Sequence, residues 1–244
     1  VLNIRGNDSE FSPIPNARLL MDSNGKIFLF SKTEKISKIK KIFSKKIKFY
    51  DESQIEKKLK TLNKKRIWLD SLTCSIYFKN LLQKNNYIIE KIDPIYFFKS
   101  IKNNTEIKNM KKIHIFDGVA LTKFLFWLKK NFKKKKITEI YAQKKLEKFR
   151  KMNKAYRFPS FSTISGSGPN SAIIHYKAST KSNRTLKKGD LYLVDSGGQY
   201  LYGTTDVTRT ISLNNSSKFI KEVYTRVLKG HIAVSKYKIE KNTK

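Results

Sequence analysis

Cysteine is all but missing. Cys74 stands alone, so no internal disulfide can form, and a chain without one suits a reducing, cytoplasmic compartment. Its setting, LDSLTCSIYF, predicts a buried helix with the thiol as a small core group rather than a reactive one. Long apolar runs are missing too. None reaches the roughly 18 to 20 residues that span a bilayer, so no membrane partner is expected. The opening carries no basic–apolar–small leader pattern and begins at Val1 rather than Met. That start, and an end at Lys244 straight after a helical pattern, lead us to expect an internal fragment of a longer protein.

Acidic residues are scarce. The 19 Asp and Glu stand against 53 Lys and Arg, for a formal net charge of +34. An excess of this size raises nucleic acid as a partner. Arginine is scarce as well, limited to Arg5, Arg18, Arg66, Arg150, Arg157, Arg184, Arg209 and Arg226. The lysines are spread along the chain among Ile and Asn, as a compositional bias would spread them, whereas base reading leans on the arginine fork. The runs KKNFKKKKI (129–137) and SKIKKIFSKKIKFY (37–50) therefore read as solvated faces. Salt-sensitive adhesion to polyanions is expected, but no specific nucleic-acid partner.

What is present suffices for a core. With 39% hydrophobic and 12% aromatic residues, 244 residues make one large domain or two modest ones. Early in the chain, β-type runs KIFLF (26–30), KIKFY (46–50), RIWLD (66–70) and NYIIE (86–90) alternate with the helical patterns SQIEKKLKTLNK and SLTCSIYFKNLLQKN. That alternation predicts an α/β layer, opened by a strand-like VLNIRG. Pro94 disfavours helix at Asp93. From Glu106 to Phe132 a long amphipathic helix is predicted, with Met110, Ile113, Val119 or Ala120, Phe124, Trp127 and Leu128 as its apolar stripe. A second helix starts after Thr138 as cap, with Glu147 and Lys151 as an i,i+4 pair. Beyond Asn153 the chain turns rich in Gly, Ser and Pro. LKKGDLYLVDSGG and TTDVTRTISL read as strands, and a last helix follows Ser216 or Ser217.

Asp195 ends one of these strands and Asp206 begins the next. Gly197, Gly198 and Gly203 let the chain turn back between them, so the hairpin can set two carboxylates side by side. Alternation puts Asp206, Thr208 and Thr210 on one face and Val207, Arg209 and Ile211 on the other. Two carboxylates about 4 Å apart repel by roughly 4 kcal/mol at an effective dielectric of 20. They can share a proton, share divalent cations, or simply cap turns and pair with Arg209 and nearby lysines. Spacing alone leaves all three open.

The stretch DSGGQYLYGTTDVTRT resembles the metal-binding hairpin of the pita-bread metallopeptidases, in particular the aminopeptidase P branch of that family. FSTISGSGPNSAIIHYKA resembles the segment around the family's active-site histidine. VLNIRGNDSEFSP, KNNTEIKNMKKIHIFDGVALTKFLFWL and EVYTRVLKGHIAVS resemble, in order, its middle domain, the first helix of its catalytic domain, and the helix after the hairpin. The resemblance implies an α/β and α+β chain. Residues 1–100 would be part of a creatinase-N, RNase-H-like α/β domain, and residues 101–244 the first half of a pita-bread catalytic domain. It implies hydrolysis of the N-terminal bond of peptides with proline second, by a water bridging two divalent cations, Mn²⁺ first and Zn²⁺ or Co²⁺ as alternatives. It assigns Asp195 and Asp206 as metal ligands and His175 as a group beside substrate. Thr205, Thr208 and Arg209 would orient the carboxylates. The family's remaining His and two Glu ligands belong to later segments absent before Lys244, so the fragment by itself is expected to be inactive. A homodimer is expected of the full-length form. Ser171 departs from the glycine common there in relatives. His114 and His231 are expected to be structural or solvent-facing. Two other functions are weighed: a non-catalytic pita-bread module that binds peptides or proteins, and a basic nucleic-acid-associated protein. Retention of both aspartates with His175 argues against the first, and the lack of arginine–aromatic clusters against the second.

Overall fold

Alternating short strands and helices carry the first hundred residues into a layered α/β arrangement. The computed structural model describes residues 2–43 and 47–240. The chain divides into two compact units, Val1–Asn103 and Asn104–Lys244.

In the first unit β1 (Arg18–Met21) runs antiparallel to β2 (Ile27–Ser31), which pairs in parallel with β3 (Ile47–Asp51). Helix α1 (Thr33–Ile39) makes the crossover between β2 and β3. A second parallel pair, β4 (Arg66–Leu69) and β5 (Tyr87–Glu90), is bridged by α3 (Ile76–Gln83), with α2 (Ile55–Lys60) ahead of it. Parallel neighbours need such crossovers because a tight turn cannot reverse them. Leu59, Leu69 and Leu82 form a buried cluster between these elements. Local chemistry sets the boundaries. Asp51 closes a capping box with Gln54, Ser75 accepts from the Phe78 amide at 3.4 Å, and Pro94 opens α4 (Pro94–Ser100) behind its cap, Asp93.

Four expectations are corrected here. VLNIRG forms no strand over residues 2–6, and Val1 lies outside the described residues, as does Lys46 of the expected strand KIKFY. Strand β1 was not foreseen. Its partner is an antiparallel neighbour rather than a crossover. Cys74 sits in the bend before α3, not in a buried helix, because Ser75 caps the helix one residue later. The thiol is half-buried against the leucine cluster, and burial pushes its pKa up.

In the second unit α5 (Asn104–Asn131) and α6 (Glu139–Lys151) pack on two small sheets. One has the order β11 (Val207–Ser212), β8 (Leu191–Ser196), β7 (Ile164–Ser167). The other runs β10 (Gly203–Thr204), β9 (Gly198–Tyr200), β6 (Tyr156–Pro159). Helix α7 (Lys218–Lys236) follows, capped by Ser217. The buried stripe of α5 is Ile113, Asp117, Ala120, Leu121, Phe124 and Leu128. Met110 and Val119 are exposed, because the helical period brings Asp117 and Ala120 to the core instead. Phe124, Leu128, Leu146, Tyr192 and Val194 lock the helices to β8, each such burial worth about 1.5 to 3 kcal/mol. Trp127 flanks this core, stacked on Phe124, with the Lys135 and Lys145 ammonium groups 5.2 Å and 5.3 Å from its ring centroid. Among the described residues no helix is long and apolar enough to cross a membrane.

Candidate metal and substrate site

Strand alternation builds the site. In β8, Tyr192 and Val194 turn into the core, which leaves Leu193 and Asp195 on the opposite face. Antiparallel register sets Thr208 of β11 across from Asp195, with Ile164 of β7 across from it on the other side. The Thr208 hydroxyl donates to Asp195 Oδ1 at 2.7 Å. Asp206 lies two residues before Thr208, at the mouth of β11. It is exposed, while Asp195 is half-buried.

Both carboxylates line one cavity of about 480 Å³, together with Phe161, Ser162, Ile164, His175 and Lys177. Among the described residues neither aspartate takes part in an ion pair. Arg209 points its guanidinium at the Thr208 carbonyl, at 2.8 Å, rather than at either acid. Thr205 is buried. Its Oγ1 accepts from the Gly198 amide at 3.0 Å, and its carbonyl accepts from Ser160 Oγ at 2.8 Å. It therefore fixes the loop that carries Asp206.

The glycines between the aspartates serve close approach, not an unusual φ. A Cβ on Gly197 would meet the Thr205 carbonyl oxygen at 1.9 Å and Ser160 Oγ at 2.2 Å. On Gly198 it would meet the rings of Tyr156 and Tyr200, both at 2.9 Å. The chain reverses at Leu201 and Tyr202, between β9 and β10.

His175 arrives from a turn. Residues 173–176 close with the Tyr176 amide on the Ile173 carbonyl at 3.2 Å, and His175 takes the third place with φ 56°. Histidine is among the few side chains enriched in that region. Ile173 and Ile174 are exposed beside it. His114, in α5, accepts or donates at the Met110 carbonyl, and His231 is exposed on α7.

Two carboxylates facing one cavity are the donor type that hard divalent cations prefer. Among the described residues no three His, Cys, Asp or Glu side chains gather as a metal-holding group. The donor set thus fits as part of a centre. Lys177 and the apolar wall of Phe161 and Ile164 escaped the sequence reading, since a lysine in so basic a chain gives no signal of its own.

Residues 108–243 match the model of metallopeptidase family M24, and residues 1–106 match that of the creatinase/prolidase N-terminal domain. Xaa-Pro aminopeptidase 1 of Dictyostelium discoideum is 39% identical over 242 residues, which span 96% of this chain and 38% of that protein. Xaa-Pro aminopeptidase ApepP of Drosophila melanogaster is 38% identical over 240 residues, 95% of this chain and 39% of that one. The structure of X-prolyl aminopeptidase from Caenorhabditis elegans, described as a cytosolic enzyme with a di-nuclear active site, aligns with a TM-score of 0.83 at 28% identity. It covers 93% of this chain and 38% of its own. The chain thus spans about two-fifths of the length of these relatives.

Proposed function

The chain belongs to metallopeptidase family M24, and on that premise we propose that the whole protein is a dinuclear-metal aminopeptidase that removes the first residue of peptides with proline second. Its fold is that of the family: a creatinase N-terminal α/β unit followed by part of a pita-bread unit. The observation that carries the proposal is the convergence of Asp195 and Asp206 on one cavity, with Thr208 holding the first of them.

Asp195 and Asp206 are two of the ligands, and the remaining His and Glu ligands come from outside these 244 residues. Two divalent cations, Mn²⁺ first, with Zn²⁺ or Co²⁺ as alternatives, would supply Lewis acidity and water activation when bound. The chain's own residues then do the following. The Thr208 hydroxyl occupies one lone pair of Asp195 Oδ1 and fixes the plane of that carboxylate. Thr205, knitted to Gly198 and Ser160, sets where Asp206 begins its strand. His175 offers an imidazole that can hydrogen-bond the scissile carbonyl region or move a proton near neutral pH. Phe161 and Ile164 present an apolar wall suited to a pyrrolidine ring. A proline amide has no N–H, so its recognition rests on shape and apolar contact. A cytoplasmic location and a homodimer of the full-length form complete the proposal. The C. elegans relative is described as cytosolic.

The test is cleavage of Xaa-Pro peptides by the full-length protein with and without Mn²⁺, beside Asp206→Asn. The wild type should need the cation and the variant should lose cleavage. Undiminished cleavage by the variant would remove Asp206 from its role.

A further inference from the structure

One wall of the cavity belongs to the loop 168–184, and a single buried carboxylate ties that loop down. Glu139, the first residue of α6, is 0% exposed. Its Oε1 accepts from the Ser167 amide at 2.8 Å and Asn170 Nδ2 at 3.0 Å. Its Oε2 accepts from the Tyr176 hydroxyl at 2.8 Å and the Arg184 amide at 2.9 Å. These donors come from the entry, the middle and the exit of the loop. His175 and Lys177, the loop's two contributions to the cavity, flank Tyr176.

The charge on Glu139 calls for a reason. Among the described residues it joins no ion pair. Its desolvation is offset by charge-assisted hydrogen bonds and by the amino end of α6. A glutamine would be easier to bury, but it presents a donor at one end. Only a carboxylate accepts at both oxygens, and here each faces two donors. The 173–176 turn it secures is otherwise weakly held. Ile173, Ile174 and His175 are exposed, and one 3.2 Å bond closes the turn. Tyr176 alone of the four is buried. Its phenol is kept above the ordinary value by burial first, with the Glu139 bond acting in the same direction, so it stays a donor.

We propose that Glu139 is a positioning residue for the reaction: by holding Asn170 and Tyr176 it fixes where the His175 imidazole stands over Asp195 and Asp206. This rests on the reading of His175 as a group beside substrate. Glu139 is not among the residues lining the cavity, so it acts through the loop.

Glu139→Gln, His175→Asn and the double variant Glu139→Gln/Asn170→Asp, all in the full-length protein, test it. Asn tolerates the positive φ of position 175 and removes only the imidazole. His175→Asn should lower kcat while Mn²⁺ affinity by calorimetry stays within about twofold. Glu139→Gln should lower kcat about 10- to 100-fold, as losses in supporting shells do. KM and Mn²⁺ affinity should hardly move. It should also shift the His175 ring resonances and reduce amide exchange protection over 170–184. The double variant returns an acceptor facing the new amide and should regain part of kcat and protection. Unchanged His175 resonances and loop protection in Glu139→Gln would overturn the inference whatever the activity. A fall in Mn²⁺ affinity equal to the fall in kcat would overturn it too, by showing general collapse. If His175→Asn keeps full kcat while Glu139→Gln still frees the loop, the role of His175 fails, and the positioning role in catalysis fails with it.

Discussion

Arg150 grips Asp117 with both edges of its guanidinium, Nε to Oδ1 at 2.7 Å and Nη2 to Oδ2 at 3.0 Å, and both side chains are buried. The same Nη2 donates to Ser196 Oγ at 3.1 Å, and the Tyr200 hydroxyl donates to Asp117 at 2.6 Å. One ion pair thus joins α5, α6 and the end of β8, immediately beside Asp195. Arg150→Met strands a buried carboxylate, and we expect about 3 to 5 kcal/mol less stability in urea unfolding. Asp117→Leu/Arg150→Met removes both charges and should lose less than the single change. A single variant as stable as wild type would show that the pair carries no such weight.

Thr208 offers a subtler probe. Thr208→Val keeps the strand but leaves Asp195 free to rotate. Because position 208 is exposed, the unfolding midpoint should stay put. Mn²⁺ affinity of the full-length protein should weaken about 10- to 100-fold, read by calorimetry. Equal affinities would detach Thr208 from cation binding.

Gly197 has no room for a side chain. Gly197→Ala would drive a methyl onto the Thr205 carbonyl, so the loop before Asp206 must shift. We expect roughly 1 to 3 kcal/mol of destabilisation by thermal unfolding, as in other overpacked sites. Mn²⁺ affinity should fall in the same variant, because Thr205 adjoins Asp206.

Alkaline pH should weaken this unit. The phenols of Tyr192 and Tyr200 are held above the ordinary tyrosine value by burial first, and for Tyr200 the bond to Asp117 adds to it. The folded state therefore keeps protons that the unfolded chain releases above about pH 10. Their contribution is complete below that point and is lost as pH rises toward the folded values. Each tyrosine can add up to about 1.4 kcal/mol per pH unit to the slope. Tyr192→Phe should flatten the slope between pH 9 and 11 in urea titrations. An unchanged slope would assign the loss to other groups.

Much of the framework was legible because hydrophobic spacing and caps are local. RIWLD, NYIIE and the helix after Thr138 stand where their patterns put them, give or take a residue. The two aspartates were legible through their glycine-rich setting. What escaped is long-range. Asp117 reads as a surface acid until Arg150, far along the chain, is known to lie against it. Glu139 reads as an ordinary acid in a helix's first turn, since its four donors come from 28 to 45 residues later. AIIHY looked like a short apolar run, yet Ile173 and Ile174 face outward. The left-handed backbone at His175 has no signature in residue type alone.

The two tryptophans fall one to each compact unit, Trp68 in the first and Trp127 in the second. Trp68 is 52% exposed, whereas Trp127 rests on Phe124 between two lysine ammonium groups. Each half of the chain therefore carries its own optical reporter in a distinct environment. Emission spectra of Trp68→Phe and Trp127→Phe would let the melting of the two halves be followed independently, without any label.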